Sequence, residues 1–357
     1  MRELITIIGA GPSGLTAAIV LARNGYRVRV YEMSADVGHR LNGDYQGLEN
    51  WSSGKDITGQ LAEIGLDVNF TCVPYAGGSI HVPGRDRVDI RSSRPIFYLV
   101  RRGAFPGTLD TGLKEQALRA GVEILFNRRL DDLEHAHIVG TGPSGVNILA
   151  SGLTFTTSSP DCAVALFDND IAPAGYAYLL VHGGFGTMAT VLYRDFRREG
   201  DCFVRMVRFF REREGVDVCG ERKFTSYGNF FIRDSQAADR TLFVGESAGF
   251  QDGLWGFGMR YAVHSGYLAA RSIIDGSDYD TLWKRELGPM LETSLVNRFL
   301  VETFGHTGYR YLAGKLSLGN PGDYLGRHYN PSLLKRLLLP LARLAYGSAG
   351  RGRRVAF

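Results

Sequence analysis

The sequence contains few cysteines, and their positions argue against a cysteine-based metal site or a redox dithiol. Only four of its 357 residues are cysteines, and no two of them have the C-x-x-C spacing of a zinc site or a redox dithiol. They are Cys72, Cys162, Cys202 and Cys219. We therefore expect no metal site, and we expect reduced thiols, as in a cytoplasmic protein.

Long apolar runs are missing as well. No uncharged apolar stretch approaches the ~20 residues with which a helix crosses a bilayer. An apolar strand pattern already begins at Leu4, which leaves no room for a signal peptide. The sequence therefore predicts a protein that is soluble or bound peripherally to a membrane.

Acidic residues are absent from the end of the chain. The last one is Asp323, and seven lysines and arginines follow it, so the total charge of +4 leaves −3 for residues 1–323. The basic residues of this tail are Arg327, Lys335, Arg336, Arg343, Arg351, Arg353 and Arg354. Because the body of the protein is not basic, we expect no nucleic-acid binding by it.

The same tail has a helical pattern. Asn330 and Pro331 are suited to an N-cap and a first helical position, and Gly347 is suited to the end of the helix. An apolar stripe lies opposite the basic residues and consists of Leu334, Leu337, Leu338, Leu341 and Leu344. Two interpretations follow: a helix on an anionic lipid surface, or a helix docked on the body and kinked at Pro340.

The most informative stretch is residues 4–32. A short apolar run, Leu4 to Ile8, predicts a buried parallel strand, and residues 15–24 predict a packed helix that Gly25 ends. Between them stands a G-x-G-x-x-G turn, formed by Gly9, Ala10, Gly11, Pro12, Ser13 and Gly14. This order is typical of a dinucleotide-binding β-α-β unit.

Each residue of this unit has a defined task. Gly9 permits the tight turn, Gly11 lets the backbone approach a pyrophosphate, and Gly14 lets the helix lie close to the strand. The second strand, residues 26–31, ends at Glu32, whose carboxylate can accept hydrogen bonds from the ribose hydroxyls of an adenosine. We therefore predict an adenine dinucleotide cofactor.

A second glycine-rich segment lies far downstream. Residues 241–244 predict a strand that leads to Gly245 and Glu246, and residues 260–274 predict a helix. The loop between them contains Gly256, Gly258 and Met259. A carboxylate, glycines and a helix N-terminus form a suitable cradle for the middle of a long cofactor such as FAD.

The residues between these segments predict a mixed pattern. We expect irregular structure in residues 33–61, a short helix in 61–68, short strands in 70–100, an amphipathic helix in 109–120, and further short strands with many turns between 122 and 193. A third glycine motif, Gly140, Gly142 and Gly145, is followed by a segment too short and too broken for a crossover helix. We therefore predict that it is not a second dinucleotide site.

The two glycine segments resemble the FAD-binding ends of the para-hydroxybenzoate hydroxylase-like flavoproteins. Within them the chain is most similar to the geranylgeranyl reductase family, which includes archaeal digeranylgeranylglycerophospholipid reductases. Three further stretches carry the resemblance: Arg102 to Phe105 ahead of a helix, Pro173 to Tyr178, and residues 279–287.

The resemblance implies several site residues. Arg40 and Arg102 would lie near the cofactor, while Gly175, Tyr176, Tyr178 and Trp255 would line the substrate cavity. The chain departs from the family pattern, with Glu246 at a usual aspartate, Thr141 at a usual acid, Gly253 at a usual proline and Tyr178 at a usual tryptophan. These departures bear mainly on the identity of the substrate.

The predicted fold is α/β, with a Rossmann-like FAD-binding domain, an inserted substrate domain built on a mixed or antiparallel sheet, and a C-terminal helical region. We assign residues 1–70, 97–150 and 235–275 to the FAD-binding domain and residues 71–96 and 151–234 to the substrate domain. Residues 276–357 form the C-terminal helical region.

The resemblance implies an FAD-dependent oxidoreductase that reduces C=C bonds of an isoprenoid chain, with flavin N5 as the hydride donor and His182 as a candidate proton donor. The electron donor would be NAD(P)H or a ferredoxin-like protein. Two alternatives remain open: a flavin monooxygenase acting on an aromatic or polyketide substrate, and a non-catalytic flavin-binding or lipid-binding protein.

Overall fold

The computed structural model describes residues 3–130 and 135–347. The tail arginines Arg351, Arg353 and Arg354 lie outside the described residues. The strands are β1 (Leu4–Ile8), β2 (Arg27–Tyr31), β3 (Asn42–Glu49), β4 (Cys72–Tyr75), β5 (Gly77–His81), β6 (Val88–Arg91), β7 (Phe97–Gly103), β8 (Glu123–Leu125), β9 (Ile138–Val139), β10 (Ile148–Thr156), β11 (Cys162–Leu166), β12 (Tyr176–His182), β13 (Phe185–Leu192), β14 (Cys219–Gly228), β15 (Ala237–Ala238) and β16 (Thr241–Phe243). The helices are α1 (Pro12–Arg23), α2 (Ile57–Glu63), α3 (Leu109–Arg119), α4 (Glu199–Arg213), α5 (Met259–Asp275), α6 (Tyr279–Glu286), α7 (Gly288–Ser317), α8 (Pro321–His328) and α9 (Leu333–Gly347).

A largely parallel sheet of six strands forms the first layer, in the order β15-β16-β9-β1-β2-β8. β1 pairs in parallel with β2 on one side and β9 on the other, and β16 pairs in parallel with β9. The alternate residues Ile5 and Ile7 of β1 are almost completely buried, as expected for a central strand of such a sheet. This is the arrangement predicted from the apolar run at Leu4.

Helices α1 and α5 pack against each other beside this sheet. Gly266 of α5 lies so close to α1 that a Cβ at this position would collide with the carbonyl group of Ser13. This close packing joins the first glycine turn to the second glycine segment, although about 230 residues separate them in the sequence.

A second sheet of seven strands has the order β14-β10-β13-β12-β11-β5-β6 and is antiparallel except between β5 and β11. Helix α4 covers one face of this sheet. Its side chains Met206 and Phe210 are completely buried between the helix and the sheet. A three-stranded antiparallel sheet, β3-β7-β4, connects the two larger sheets. The parallel and antiparallel layers together confirm the predicted fold class.

The prediction for residues 33–61 was wrong. This stretch contains β3 and most of α2, and the short helix expected at 61–68 ends at Glu63. β3 is rich in polar residues and glycine and has little intrinsic strand preference. Its hydrogen bonds come from pairing with β7 and from Thr187, whose Oγ1 accepts the amide N–H of Tyr45 at 2.8 Å.

Helices α6 to α9 follow the second glycine segment. Their path includes a sharp break inside α7 at Gly305, where φ is 51° and ψ is −131°. Helix α9 begins at Leu333 and not at Pro331, because the Ser332 hydroxyl accepts the amide N–H of Lys335 and acts as the cap. In residues 3–130 and 135–347 we find no helix that is long and apolar enough to cross a membrane.

Candidate cofactor and substrate site

The first glycine turn forms one corner of a large cavity. Gly9 has a φ of +98°, and a Cβ there would collide with the carbonyl oxygen of Gly140. Gly11 is the N-cap of α1, and Pro12 follows it in the first turn. Gly14 lies behind the turn, where a Cβ would collide with the carbonyl oxygen of Gly9. Gly9, Gly11, Pro12 and Ser13 line the cavity, and Gly14 provides the close packing beneath it.

Glu32 lies beside this turn at the end of β2 and also lines the cavity. Its Oε2 accepts the amide N–H of Ala10 at 2.9 Å, and its Oε1 accepts that of Ser34 at 2.9 Å. The two bonds fix the carboxylate against the turn, and each oxygen has a further lone pair for a ligand hydroxyl.

The third glycine motif lies in the wall of the same cavity. Gly140, Thr141, Gly142 and Pro143 are among its lining residues, directly after β9. The chain then continues into β10 and not into a helix, as the broken pattern predicts. Gly140 therefore supports the first glycine turn, because its carbonyl group packs against Gly9.

Glu246 supplies a second carboxyl group to the cavity wall. It belongs to the 3₁₀ turn Gly245–Ala248 that follows β16. Gly245 has a φ of +61° and donates its N–H to the hydroxyl of Ser265 at 2.9 Å, behind the wall. Burial raises the pKa of Glu246 to about 7, although the nearby guanidinium groups of Arg40 and Arg102 lower it.

The two arginines are held in different ways. Arg102 lines the cavity and donates two hydrogen bonds of 2.9 Å to the carboxylate of Asp110, which is 2% exposed. Arg40 is exposed at the cavity rim, with its guanidinium carbon 5.5 Å from the ring centre of Tyr227. Arg102 is therefore rigid and paired, while Arg40 is placed where an anionic ligand could reach it.

The loop before α5 forms the opposite corner of the cavity. Gly256 has a φ of +75°, Gly258 is the N-cap of α5, and Met259 begins the helix. All three line the cavity, as do Trp255 and Phe257.

Asp252 holds this loop in place, a role that the sequence did not reveal. Its carboxylate accepts the amide N–H of Trp255 at 2.7 Å and the hydroxyl of Tyr329 at 2.8 Å. Burial raises the pKa of Asp252 to about 7, against the lowering effect of these hydrogen bonds. Arg298 of α7 adds a bond of 3.0 Å to the carbonyl oxygen of Leu254. Helix α7 and the residue that directly follows α8 therefore help to set the shape of the loop.

Beyond this loop the cavity continues as an apolar lobe. The whole cavity, including the lobe, has a volume of about 930 Å³. The lobe is lined by aromatic and aliphatic side chains from β5, β6, β12, α7 and α8. They include Ile80, Ile90, Phe167, Tyr176, Tyr178, Leu180, Leu316 and Leu325. Tyr176 donates its hydroxyl to the carbonyl oxygen of Trp255 at 2.6 Å, so this polar group is satisfied within the wall.

Two predicted residues lie away from the cavity surface. Gly175 is packed against β13, where a Cβ would collide with the carbonyl oxygen of Val191, so it supports the wall without lining it. His182 lies at the far end of β12 and contacts Asp161, with 2.7 Å between its Nδ1 and a carboxylate oxygen. Neither residue is among the lining residues in the described part of the chain, and His182 is therefore not placed to give a proton to a ligand there.

The parallel sheet, the two glycine corners and the adjoining antiparallel sheet form a fold similar to that of solved flavin-dependent proteins. Residues 7–45 match the NAD(P)-binding Rossmann-like domain family. Among solved structures, a geranylgeranyl bacteriochlorophyll reductase-like protein from Thermoplasma acidophilum has a TM-score of 0.58 at 18% identity, over 97% of this chain and all of that one. The flavin-dependent halogenase CmlS has a TM-score of 0.63 at 17% identity, over 98% of this chain and 78% of that one.

Sequence similarity extends over most of the chain. Digeranylgeranylglycerophospholipid reductase 2 from Methanococcoides burtonii is 22% identical, over 82% of each chain. The resemblance predicted from the motifs is therefore confirmed along most of the sequence.

Proposed function

We propose that the protein is an FAD-dependent oxidoreductase that reduces C=C bonds of a geranylgeranyl-type isoprenoid chain. The observation that supports this most is the single cavity: two glycine corners with carboxyl groups open directly into an apolar lobe. Such a shape suits a long dinucleotide with an apolar substrate beside its reactive end. The similarity to digeranylgeranylglycerophospholipid reductases points to the same substrate class.

The residues present fit FAD. Gly9, Gly11, Pro12 and Ser13 would take the pyrophosphate, with Gly14 packing below, and Glu32 would accept the adenosine ribose hydroxyls. Arg40, Arg102 and Glu246 would surround the middle of the cofactor, with Gly245 supporting Glu246 from behind the wall, and Gly256, Gly258 and Met259 would surround its ring end. Reduced FAD supplies hydride chemistry to a bound alkene.

The lobe would select its substrate by burial and not by charge. Its wall provides apolar contacts and keeps water away, and the Tyr176 hydroxyl is already bonded to the backbone of Trp255. An extended hydrocarbon loses no hydrogen bonds on entering such a lobe, whereas a polar substrate would. We therefore propose Tyr176, Tyr178 and Trp255 as substrate contacts, with Gly175 as their support.

We also propose the domain division given above, since β5 and β6 join the sheet formed by residues 148–228 and not the parallel sheet. The electron donor, NAD(P)H or a ferredoxin-like protein, is part of the proposal and follows from the need to reduce the flavin.

The test is anaerobic turnover. Protein loaded with FAD and reduced with dithionite is mixed with a geranylgeranyl-bearing glycerophospholipid, and the lipid mass is measured. We expect two hydrogens to be added for each bond reduced. No change in the lipid would reject the proposal, and oxygen-dependent hydroxylation of an aromatic compound would favour the monooxygenase.

A matched pair of variants locates the reaction in the lobe. Ala165 lines the lobe, and Ala165→Phe should abolish lipid reduction while the flavin spectrum is retained. Ala62→Phe, at an exposed position on α2, should leave both unchanged. Equal activity of the two variants would contradict the placement of the substrate.

A further inference from the structure

Helix α9 is fixed to the body through one of its faces. Ala342 is completely buried, and Leu338 and Tyr346 pack against the cluster that contains Phe230 and Val296. This contact determines which side of the helix faces outward. The expectation that α9 docks on the body is therefore correct for this face.

The opposite face exposes a row of leucines. Five of the thirteen exposed large hydrophobic side chains in the described residues lie on this one helix of 15 residues. Their spacing of three and four residues places them along one side. This leucine face consists of Leu333 (79% exposed), Leu334 (63%), Leu337 (76%), Leu341 (52%) and Leu344 (77%).

The charged residues of helix α9 itself are all positive. Helix α9 contains Lys335, Arg336 and Arg343 and no acidic residue. Arg343 is directed to the body, where it pairs with Glu292 at 2.8 Å, whereas Arg336 is exposed. Residues 348–357 add three arginines and no acidic residue to the sequence. The leucine face therefore lies on the same helix as exposed Arg336, for which α9 itself supplies no acidic partner.

We propose that the leucine face of α9 binds an anionic lipid surface, with the helix lying in the plane of the interface. Leucines on one side of a helix and cations beside them are the features that such surfaces attract. A helix of 15 residues is about 22 Å long, too short for the ~30 Å hydrocarbon core. Its docked face also holds it on the body.

A second copy of the chain is a poorer occupant. A two-fold interface would place this face against itself and bring Arg336 of one copy towards Arg336 of the other. The helix offers no acidic residue to neutralise them. Anionic lipid headgroups supply this missing charge.

The experiment is co-sedimentation of the full chain with vesicles. One set contains phosphatidylglycerol mixed with phosphatidylcholine, and the other contains phosphatidylcholine alone. We expect binding to the anionic vesicles, and we expect it to weaken as salt rises from about 0.1 M to about 1 M, where the screening length falls from about 10 Å to about 3 Å.

Two double variants test whether vesicle binding depends on the leucine face or on exposed apolar side chains in general. Leu337→Gln with Leu341→Gln removes two leucines of the face and should weaken vesicle binding at least roughly tenfold. Leu118→Gln with Val204→Gln removes apolar side chains of 52% and 53% exposure on α3 and α4, and should bind like the unchanged protein. All four positions are exposed, and circular dichroism should show that both variants are folded.

Several results of these experiments would show that the leucine face does not bind lipid. Failure to bind anionic vesicles, equal binding to both vesicle types, or equal loss in the two double variants would each overturn it. So would light scattering that shows a dimer which only the α9 variant dissociates. Arg336→Gln provides a separate measurement, since it should weaken binding to anionic vesicles and leave the helix intact.

Discussion

The carboxyl group of Glu246, half-buried in the cavity wall, makes the stability of the FAD-free protein depend on pH. Burial raises its pKa from the usual 4.5 to about 7. Between these values the folded chain keeps a proton that the unfolded chain has lost, so the free energy of unfolding should fall as pH rises from about 4.5 to about 7. At ~1.36 kcal/mol for each pKa unit, the loss amounts to roughly 3 kcal/mol.

Glu246→Gln removes this proton and should remove this part of the pH dependence. The assay is urea unfolding of FAD-free protein at about pH 5, about pH 6 and about pH 7, compared between the variant and the unchanged protein. The pKa of Asp252 is also raised to about 7. Because Asp252 is present in the variant and in the unchanged protein, its contribution to the pH dependence cancels in the difference between them. Exposed Glu63→Gln is the control and should resemble the unchanged protein. An identical pH dependence in Glu246→Gln would refute the reasoning.

Two further predictions concern the corners of the cavity. Gly14→Ala should destabilise the fold by roughly 1–3 kcal/mol in urea unfolding, because its Cβ would meet the Gly9 carbonyl, whereas Gly59→Ala, with open space around it, should change stability by less than about 1 kcal/mol. Equal effects of the two would contradict the packing. Tyr329→Phe removes the hydroxyl bonded to the buried carboxylate of Asp252 and should cost about 1–3 kcal/mol near neutral pH, measured in the same way. Unchanged stability would show that Tyr329 does not hold the loop.

The two glycine corners of the cavity could be predicted from the sequence because their constraints are local. Gly9, Gly14 and Glu32 follow fixed spacings, and the structure shows the close backbone contacts that those spacings imply. The downstream segment at Gly245 was found for the same reason, since a strand, an acid, glycines and a helix follow one another within 30 residues.

Residues whose place depends on long-range contacts were missed. β3 has few strand-forming residues and takes its conformation from β7 and Thr187. Asp252 was overlooked because its partner, Tyr329, lies 77 positions away. The distance of His182 from the cavity could not be predicted, because a strand pattern indicates alternating faces but not which end of the strand adjoins the cavity.

The tail shows a third kind of difference. The sequence left two interpretations of the leucine-rich helix, lipid contact or docking on the body, as alternatives. In the structure α9 uses Ala342, Leu338 and Tyr346 for docking and still exposes five leucines. One periodic pattern wide enough for two faces cannot show which of them the body will cover.

The central claim is that one cavity holds FAD beside an isoprenoid chain, and a single-turnover measurement tests it most directly. Reduced, FAD-loaded protein is mixed with the geranylgeranyl lipid in the absence of oxygen, and the visible absorbance of the flavin is followed. We expect the oxidised flavin spectrum to return at the rate at which the saturated lipid forms. A flavin that stays reduced until oxygen is admitted would contradict it.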